Sequence, residues 1–192
     1  MDWLVAGLGN PGERYARTRH NLGAMVADEL AHVAGERFRK ARFVPAEVAE
    51  VSFEGERVWL VRSQRWMNES GPTYASLAKK HQVPPERVIA VHDEIDLPFG
   101  ALKVKRGGST AGHNGLKSLQ GALRSEDFHR VRLGVGRPPG RQDPADYVLQ
   151  PIPKRDEADV ALLVDDGSDA VRALVLDGLD RAQDRFNRSG PR

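Results

Sequence analysis

Six histidines are spread along the chain, and three of them stand where chemistry is easiest to arrange. His20, His92 and His113 each fall at the boundary of a predicted element, among asparagine, aspartate and glycine. A neutral imidazole, with a pKa of about 6.5, can take a proton from water at neutral pH once a second group fixes its tautomer. The run His92-Asp93-Glu94-Ile95-Asp96 closes an apolar strand and offers such groups. It admits three readings. Three carboxylates and an imidazole suit Mg²⁺, Mn²⁺ or Zn²⁺. They equally suit a solvated acidic turn. One carboxylate can also orient a histidine from elsewhere, as in a base–orienter pair. His92 is a poor partner for Asp93, because neighbours on a strand point to opposite faces. The imidazole then has to come from another loop, with His20 and His113 as candidates. Arg19-His20-Asn21 precedes a predicted helix, which would hold a side chain rigidly. His32 and His81, among charged neighbours on helices, read as surface residues. His129 opens a strand and is either structural or close to a basic stripe.

Asn10, Asn68 and Asn114 each fall in a loop or at a helix start. An asparagine amide donates two hydrogen bonds and accepts two. Three of them aimed into one cleft can hold a peptide-like group or an oxyanion without formal charge; any one alone is as well explained by a helix cap or an Asx-turn. The segment Gly7-Leu8-Gly9-Asn10-Pro11-Gly12 follows a strand and formally matches a dinucleotide-binding fingerprint. Pro11 lacks the N–H that a pyrophosphate would need, no helix starts at the third glycine, and the stretch that should hold a second strand reads as helix. A tight strand-to-loop turn presenting Asn10 is the better reading. Residues 107–115 form a glycine-rich loop running into a helix, without the lysine and hydroxyl spacing of a Walker motif. It reads as a gate or an RNA-facing loop.

Charge is unevenly distributed. Between Phe99 and Asp143 nine basic residues, among them Lys103, Lys105, Arg130 and Arg132, face three acids. That asymmetry points to an anionic partner, unless lysine merely defends the border of a sheet. No aromatic pair accompanies the stripe, so phosphate contacts are expected rather than base stacking.

The elements that must position these groups follow from periodicity. Trp3 to Leu8 and Val88 to His92 are buried strands, and Val44 to Phe53 with Arg57 to Arg62 form a hairpin. Leu102 to Lys105 and His129 to Gly136 complete the sheet. Asn21 caps a helix over 21–33 with Leu22, Val26 and Leu30 on one face. Ser70 caps a helix running to about His81, and residues 114–124 form another. Pro138 to Pro144 is a polar loop. Residues 156–186 are helical, with Gly167 a candidate break, and 187–192 reads as a frayed polar tail. Strands and helices alternate, so the class is α/β: one domain over 1–186, with a twisted mixed, mostly parallel sheet flanked by helices. The 192 residues, 40% hydrophobic and 29% charged with net charge +2, suit one soluble globular domain. The absence of cysteine removes disulfides, thiolate zinc sites and cysteine nucleophiles. No apolar run approaches a membrane span and no secretory signal is evident, so a cytoplasmic protein is expected.

Taken together, these segments resemble the bacterial-type peptidyl-tRNA hydrolase family. The resemblance is carried by GLGNPG (7–12) with Tyr15, TRHNLG (18–23), WMNESG (66–71), HDEIDLPFG (92–100), GGSTAGHNGLKS (107–118) and HRVRLGVGRP (129–138), in this order. It implies hydrolysis of the ester between a peptide and the terminal ribose of tRNA, recycling peptidyl-tRNA dropped by ribosomes. By the same carry-over His20 is the general base and Asp93 orients it. Asn10, Tyr15, Met67, Asn68, His113 and Asn114 line the reaction and peptide site, while Lys105 and Arg132, assisted by Lys103, hold tRNA phosphate. The family implies a monomer needing no metal or other cofactor, with peptidyl-tRNA as its partner. The chain departs from the family at residues 62–66, where a proline and a threonine more often precede an aromatic, and at the bulkier Ser109-Thr110-Ala111. A metal-dependent phosphoesterase built on residues 92–96, a non-catalytic RNA-binding module and a nicotinamide enzyme are the competing functions.

Overall fold

Strands form where the sequence runs apolar, and their alternation sorts side chains onto two helical layers. The computed structural model describes residues 1–191. Its seven-stranded sheet has the order β2-β3-β4-β1-β5-β7-β6. β1 (Trp3–Gly7) lies between β4 (Glu56–Ser63) and β5 (Val88–Glu94), parallel to both, and β7 (His129–Gly134) continues the parallel block beside β5. β3 (Ala46–Phe53) pairs with β4 as the expected hairpin. β2 (Arg39–Lys40) and β6 (Leu102–Arg106) close the two ends antiparallel. The result is the mixed sheet with a mostly parallel core that the sequence predicts.

Val5, Ile89, Val91, Val131 and Leu133 face α1 (Leu22–Val33), α5 (Glu157–Asp177) and α6 (Leu179–Phe186). Leu4, Ala6, Val88 and Ala90 face α2 (Gly71–Lys80) and α3 (Asn114–Leu123), meeting Tyr74, Leu77, Leu116 and Leu119. Both faces of the central strands are therefore covered, which is why β1 and β5 read as continuous apolar runs. Each such side chain contributes about 1.5–3 kcal/mol by leaving water. Helix α1 sits unusually close to the sheet. A Cβ on Gly23 would collide with the Val91 carbonyl oxygen, and one on Gly7 would lie 2.7 Å from Ala27 Cβ. This contact fixes the start of α1 against the C-terminal ends of β1 and β5.

Four expectations are corrected. Helix α5 runs unbroken through Gly167, which stands there because a side chain would press on Val26 and Leu133 rather than to end the helix, and the break comes instead at Gly178, where φ is +85°. Neither Asn21 nor Ser70 makes a side-chain cap bond; Ser70 Oγ donates to the Met67 carbonyl at 2.7 Å, and Asn21 is taken up below. The segment after α6 is not frayed. Asn187 Oδ1 accepts from the Val104 N–H at 2.7 Å, and Arg188 exchanges main-chain bonds of 2.9 and 3.3 Å with Leu102. The Arg188 guanidinium lies 2.6 Å from the Asp166 carboxylate in α5, and Pro191 rests near Gly100. The outer main-chain groups of β6 need partners, and this segment supplies them. Arg192 lies outside the described residues. Among the described residues no helix is long and apolar enough to cross a membrane.

Candidate active site

The turn after β1 is where the polar groups begin to converge. Leu8 still bonds to Val91, but Asn10 is held from two directions. Its main chain exchanges two bonds with the Asn21 amide, Asn10 N–H to Asn21 Oδ1 and Asn21 Nδ2 to the Asn10 carbonyl, each 2.9 Å. This is why Asn21, buried at the head of α1, does not cap the helix: its amide ties the glycine turn to α1 instead. The Asn10 side chain accepts from the Met67 N–H at 2.7 Å. With its oxygen so engaged, its amide nitrogen is left for the cavity.

His20 occupies a short 3₁₀ turn (Arg19–Asn21) just before α1. Its Nδ1 lies 2.9 and 3.1 Å from the two oxygens of Asp93, at the end of β5. His113 approaches the same carboxylate from the glycine loop, with Nε2 donating to Asp93 Oδ1 at 2.8 Å. The His113 Nδ1 accepts from the main-chain N–H groups of Gly115 and Leu116 and so caps α3. His113 is thus fixed in one tautomer from both sides. Both candidates left open by the sequence meet Asp93, and their rings lie 4.9 Å apart.

Charge follows from this geometry. Burial pulls the His20 imidazole down, but the Asp93 charge and hydrogen bond outweigh it, so its pKa sits above the ordinary value. Burial pushes the Asp93 carboxyl up, yet the two imidazoles outweigh that and hold it far below the usual carboxylate range. With Nδ1–H of His20 committed to Asp93, Nε2 carries the free lone pair.

The acidic run does not behave as a metal cage. His92 turns away from the Asp93 carboxylate, as strand alternation requires, and donates from Nδ1 to the Asp93 main-chain carbonyl at 2.8 Å. Burial, then the neighbouring His113, brings its pKa to about 3, so it is neutral. Glu94 pairs with Arg132 at 3.0 Å and Asp96 with Arg137 at 2.5 Å. Among the described residues the ligating atoms that do converge are those of His20, Asp93 and His113, within 4.8 Å of one another. There both imidazoles stand at hydrogen-bonding distance from the carboxylate.

A cavity of about 560 Å³ gathers eight of the eleven predicted site residues: Asn10, Tyr15, His20, Met67, Asn68, Asp93, His113 and Asn114. Asn68 and Asn114 are exposed at its mouth. Tyr15 meets Trp66 edge-on, ring centroids 5.8 Å apart. Sequence reasoning missed the opposite wall. The polar loop after Pro138 ends at Pro144, where an element begins that the periodicity did not reveal: α4 (Pro144–Val148) is capped by Asp143, and Ala145, Val148 and Leu149 line the cavity. Arg19 anchors this wall by stacking on Tyr147, 4.0 Å from its ring centre. The signal was Asp143-Pro144, an N-cap followed by proline at the first helical position.

Lys103, Lys105 and Arg132 lie apart from the cavity. They occupy one face of the β6–β7 pair, with Lys103 opposite Arg132 and Lys105 opposite Arg130. Arg132 is tethered by Glu94, which itself lines the cavity. Burial, then Arg132 and Arg130, lowers the Lys105 pKa. Arg130 is not part of an exposed stripe. It is fully buried, and its guanidinium donates to the Ser109 and Gly108 carbonyls at 2.5 and 2.7 Å. It therefore fixes the loop whose Ala111 and Gly112 roof the cavity.

Three comparisons bear on this arrangement. The model of the peptidyl-tRNA hydrolase family matches residues 4–192. The chain is 48% identical over 184 residues to the peptidyl-tRNA hydrolase of Nocardia farcinica, covering 96% of this chain and 95% of that protein. It is 48% identical over 180 residues to that of Mycolicibacterium smegmatis, covering 94% of each. The crystal structure of peptidyl-tRNA hydrolase from Acinetobacter baumannii superimposes with a TM-score of 0.92 at 31% identity, covering 100% of this chain and 97% of that one.

Proposed function

We infer the division of labour in this cavity from one premise: the chain belongs to the peptidyl-tRNA hydrolase family and is a hydrolase acting on the ester bond of peptidyl-tRNA. His20 is the general base and Asp93 its orienter. The observation that carries this reading is the contact of His20 Nδ1 with both Asp93 oxygens, 2.9 and 3.1 Å, beside a cavity lined by amides. Water gives a proton to His20 Nε2 as its oxygen bonds to the ester carbonyl carbon. Asp93 stabilises the imidazolium that forms. The tetrahedral intermediate collapses by breaking the bond to the ribose oxygen, which takes the proton back from Nε2. General-base help of this kind is worth about 10²–10⁴ in rate.

Asn10 supplies the oxyanion donor. Its amide oxygen is occupied by Met67, so its nitrogen is preset for the developing charge, and one such donor is worth roughly 3–4 kcal/mol. Asn68 and Asn114 take the main chain of the peptide, with Tyr15, Met67 and His113 as walls. A site of amides favours an N-blocked aminoacyl group over a free ammonium, whose desolvation is costly. Lys103, Lys105 and Arg132 grip phosphate near the tRNA acceptor end. The reading involves no metal or other cofactor, treats residues 1–186 as one catalytic domain, and describes a cytoplasmic monomer.

Deacylation of N-acetyl-aminoacyl-tRNA tests it. The His20→Ala protein should lose at least about 10²-fold in kcat with little change in tRNA affinity, and wild type should keep full activity in EDTA. Near-normal turnover by the mutant removes His20 from the mechanism; loss of wild-type activity in EDTA restores the metal reading. Equal rates on blocked and unblocked aminoacyl-tRNA overturn the account of selectivity.

A further inference from the structure

The catalytic cavity is not the only sizeable concavity. A groove of about 1040 Å³ opens near the opposite border of the sheet, between the α1–β2 connection, β3, β4 and the end of α2. Its cations come from separate elements. Arg37, Arg39, Lys40 and Arg42 line one bank and Lys80 the other, all exposed. Arg57 lies between them but is already paired with Glu50 and Asp2. Among the described residues none of the other five takes part in a salt bridge, and Glu36 is the one unpaired acid in the groove. The floor carries a flat aromatic pair, Trp59 and His81, with ring centroids 3.7 Å apart and planes 19° from parallel. Phe43, 91% exposed, follows Arg42, whose guanidinium lies 4.8 Å from its ring centre.

We propose that this groove binds RNA through its phosphodiester backbone, at a place distinct from the Lys103–Lys105–Arg132 face. Unpaired cations on two banks with rings between them are the arrangement that tracks a nucleic-acid strand and offers its bases a stacking surface. The simpler explanation, that charge on an outermost strand discourages pairing with a foreign one, covers Arg39 and Lys40 in β2. It does not cover Arg37, Arg42 and Lys80, which lie outside any strand and point at the same space. β2 and β6 are separated by six strand spacings, roughly 29 Å at about 4.8 Å each. RNA held at the acceptor-end stripe would have to extend that far, or a second RNA would have to bind.

The test uses Arg37→Glu/Arg42→Glu/Lys80→Glu in the full chain. These positions are exposed, unpaired and remote from the cavity. The probes are fluorescent deacylated tRNA and a single-stranded uridine 20-mer, titrated from 50 to 300 mM salt. Turnover is followed on a CCA trinucleotide carrying an N-acetyl-aminoacyl group, too short to reach the groove. Three lost phosphate contacts should lower the slope of log K against log salt by about 2, and weaken binding at least about tenfold at 0.1 M salt. Turnover of the short substrate should stay within twofold of wild type. Weakening with tRNA alone assigns the groove to the tRNA body, and weakening with both probes assigns it to RNA in general. Unchanged affinity and slope for both probes overturn the proposal, as does an equal loss on the short substrate.

Discussion

Replacing Asp93 by asparagine tests the site more sharply than deleting a side chain, because shape is kept while donors and charge change. Asp93 accepts from two imidazoles, His20 Nδ1–H and His113 Nε2–H. An asparagine has one oxygen to accept and an NH₂ that can only donate. His113 cannot change tautomer without losing the cap of α3, since its Nδ1 accepts from Gly115 and Leu116. The asparagine oxygen therefore goes to His113, and the NH₂ faces His20. His20 must then present a bare Nδ1 and carry its hydrogen on Nε2, the atom required to take a proton from water. The expected loss is about 10²–10⁴ in kcat, with KM within about twofold. The pH profile moves as well. In wild type, burial lowers the His20 pKa and Asp93 more than restores it, and the unprotonated ring is active. Wild-type kcat/KM should rise with pH through an inflection above about 6.5. In Asp93→Asn the charge is gone and burial remains, so the residual activity should level off at lower pH. Single-turnover deacylation from pH 5 to 9 reads both effects. A loss below tenfold, or an inflection that stays in place, refutes the tautomer argument.

Other expectations are simpler. Lys105→Ala should raise KM, reduce the salt slope by about 0.7–0.9 and leave kcat nearly unchanged in steady-state assays. Arg130→Met should release the carbonyls of Gly108 and Ser109; hydrogen exchange at residues 109–112 should accelerate and kcat/KM fall, while the salt slope holds because the guanidinium is buried. Stability should drop by about 2–4 kcal/mol, measurable by urea denaturation. Gly23→Ala drives a methyl group into the Val91 carbonyl, so Tm should fall with a cost of about 1–3 kcal/mol or more, and kcat with it as His20 is displaced from Asp93.

Much of the sheet was legible because its central strands are covered on both sides and must read as unbroken apolar runs. The exclusion of His92 as a partner for the Asp93 carboxylate also came from local geometry alone, through the alternation of β5. The meeting of His20 and Asp93 did not. They are 73 positions apart, and only the placement of β1 beside β5, with α1 pressed on both, unites them. Local patterns suggested two candidate histidines, and the family resemblance ranked them. Caps were misread because Asn21 and Ser70 have long-range or loop partners that outweigh the local bond. Gly167 looked like a break because propensity does not register that a small residue is wanted where α5 crosses Val26 and Leu133. Arg130 was counted as surface charge because nothing in its neighbours announces that its partners are carbonyls 21 and 22 residues away.

The docked segment after α6 has a practical bearing on how the protein is handled. Because Asn187 is bonded to Val104 and Arg188 to Leu102, with Pro191 near Gly100, the segment covers the outer border of β6, and a truncation ahead of Asn187 would uncover it. A shortened chain would then present the main-chain groups of Leu102 and Val104 to any passing strand, an invitation to association between copies.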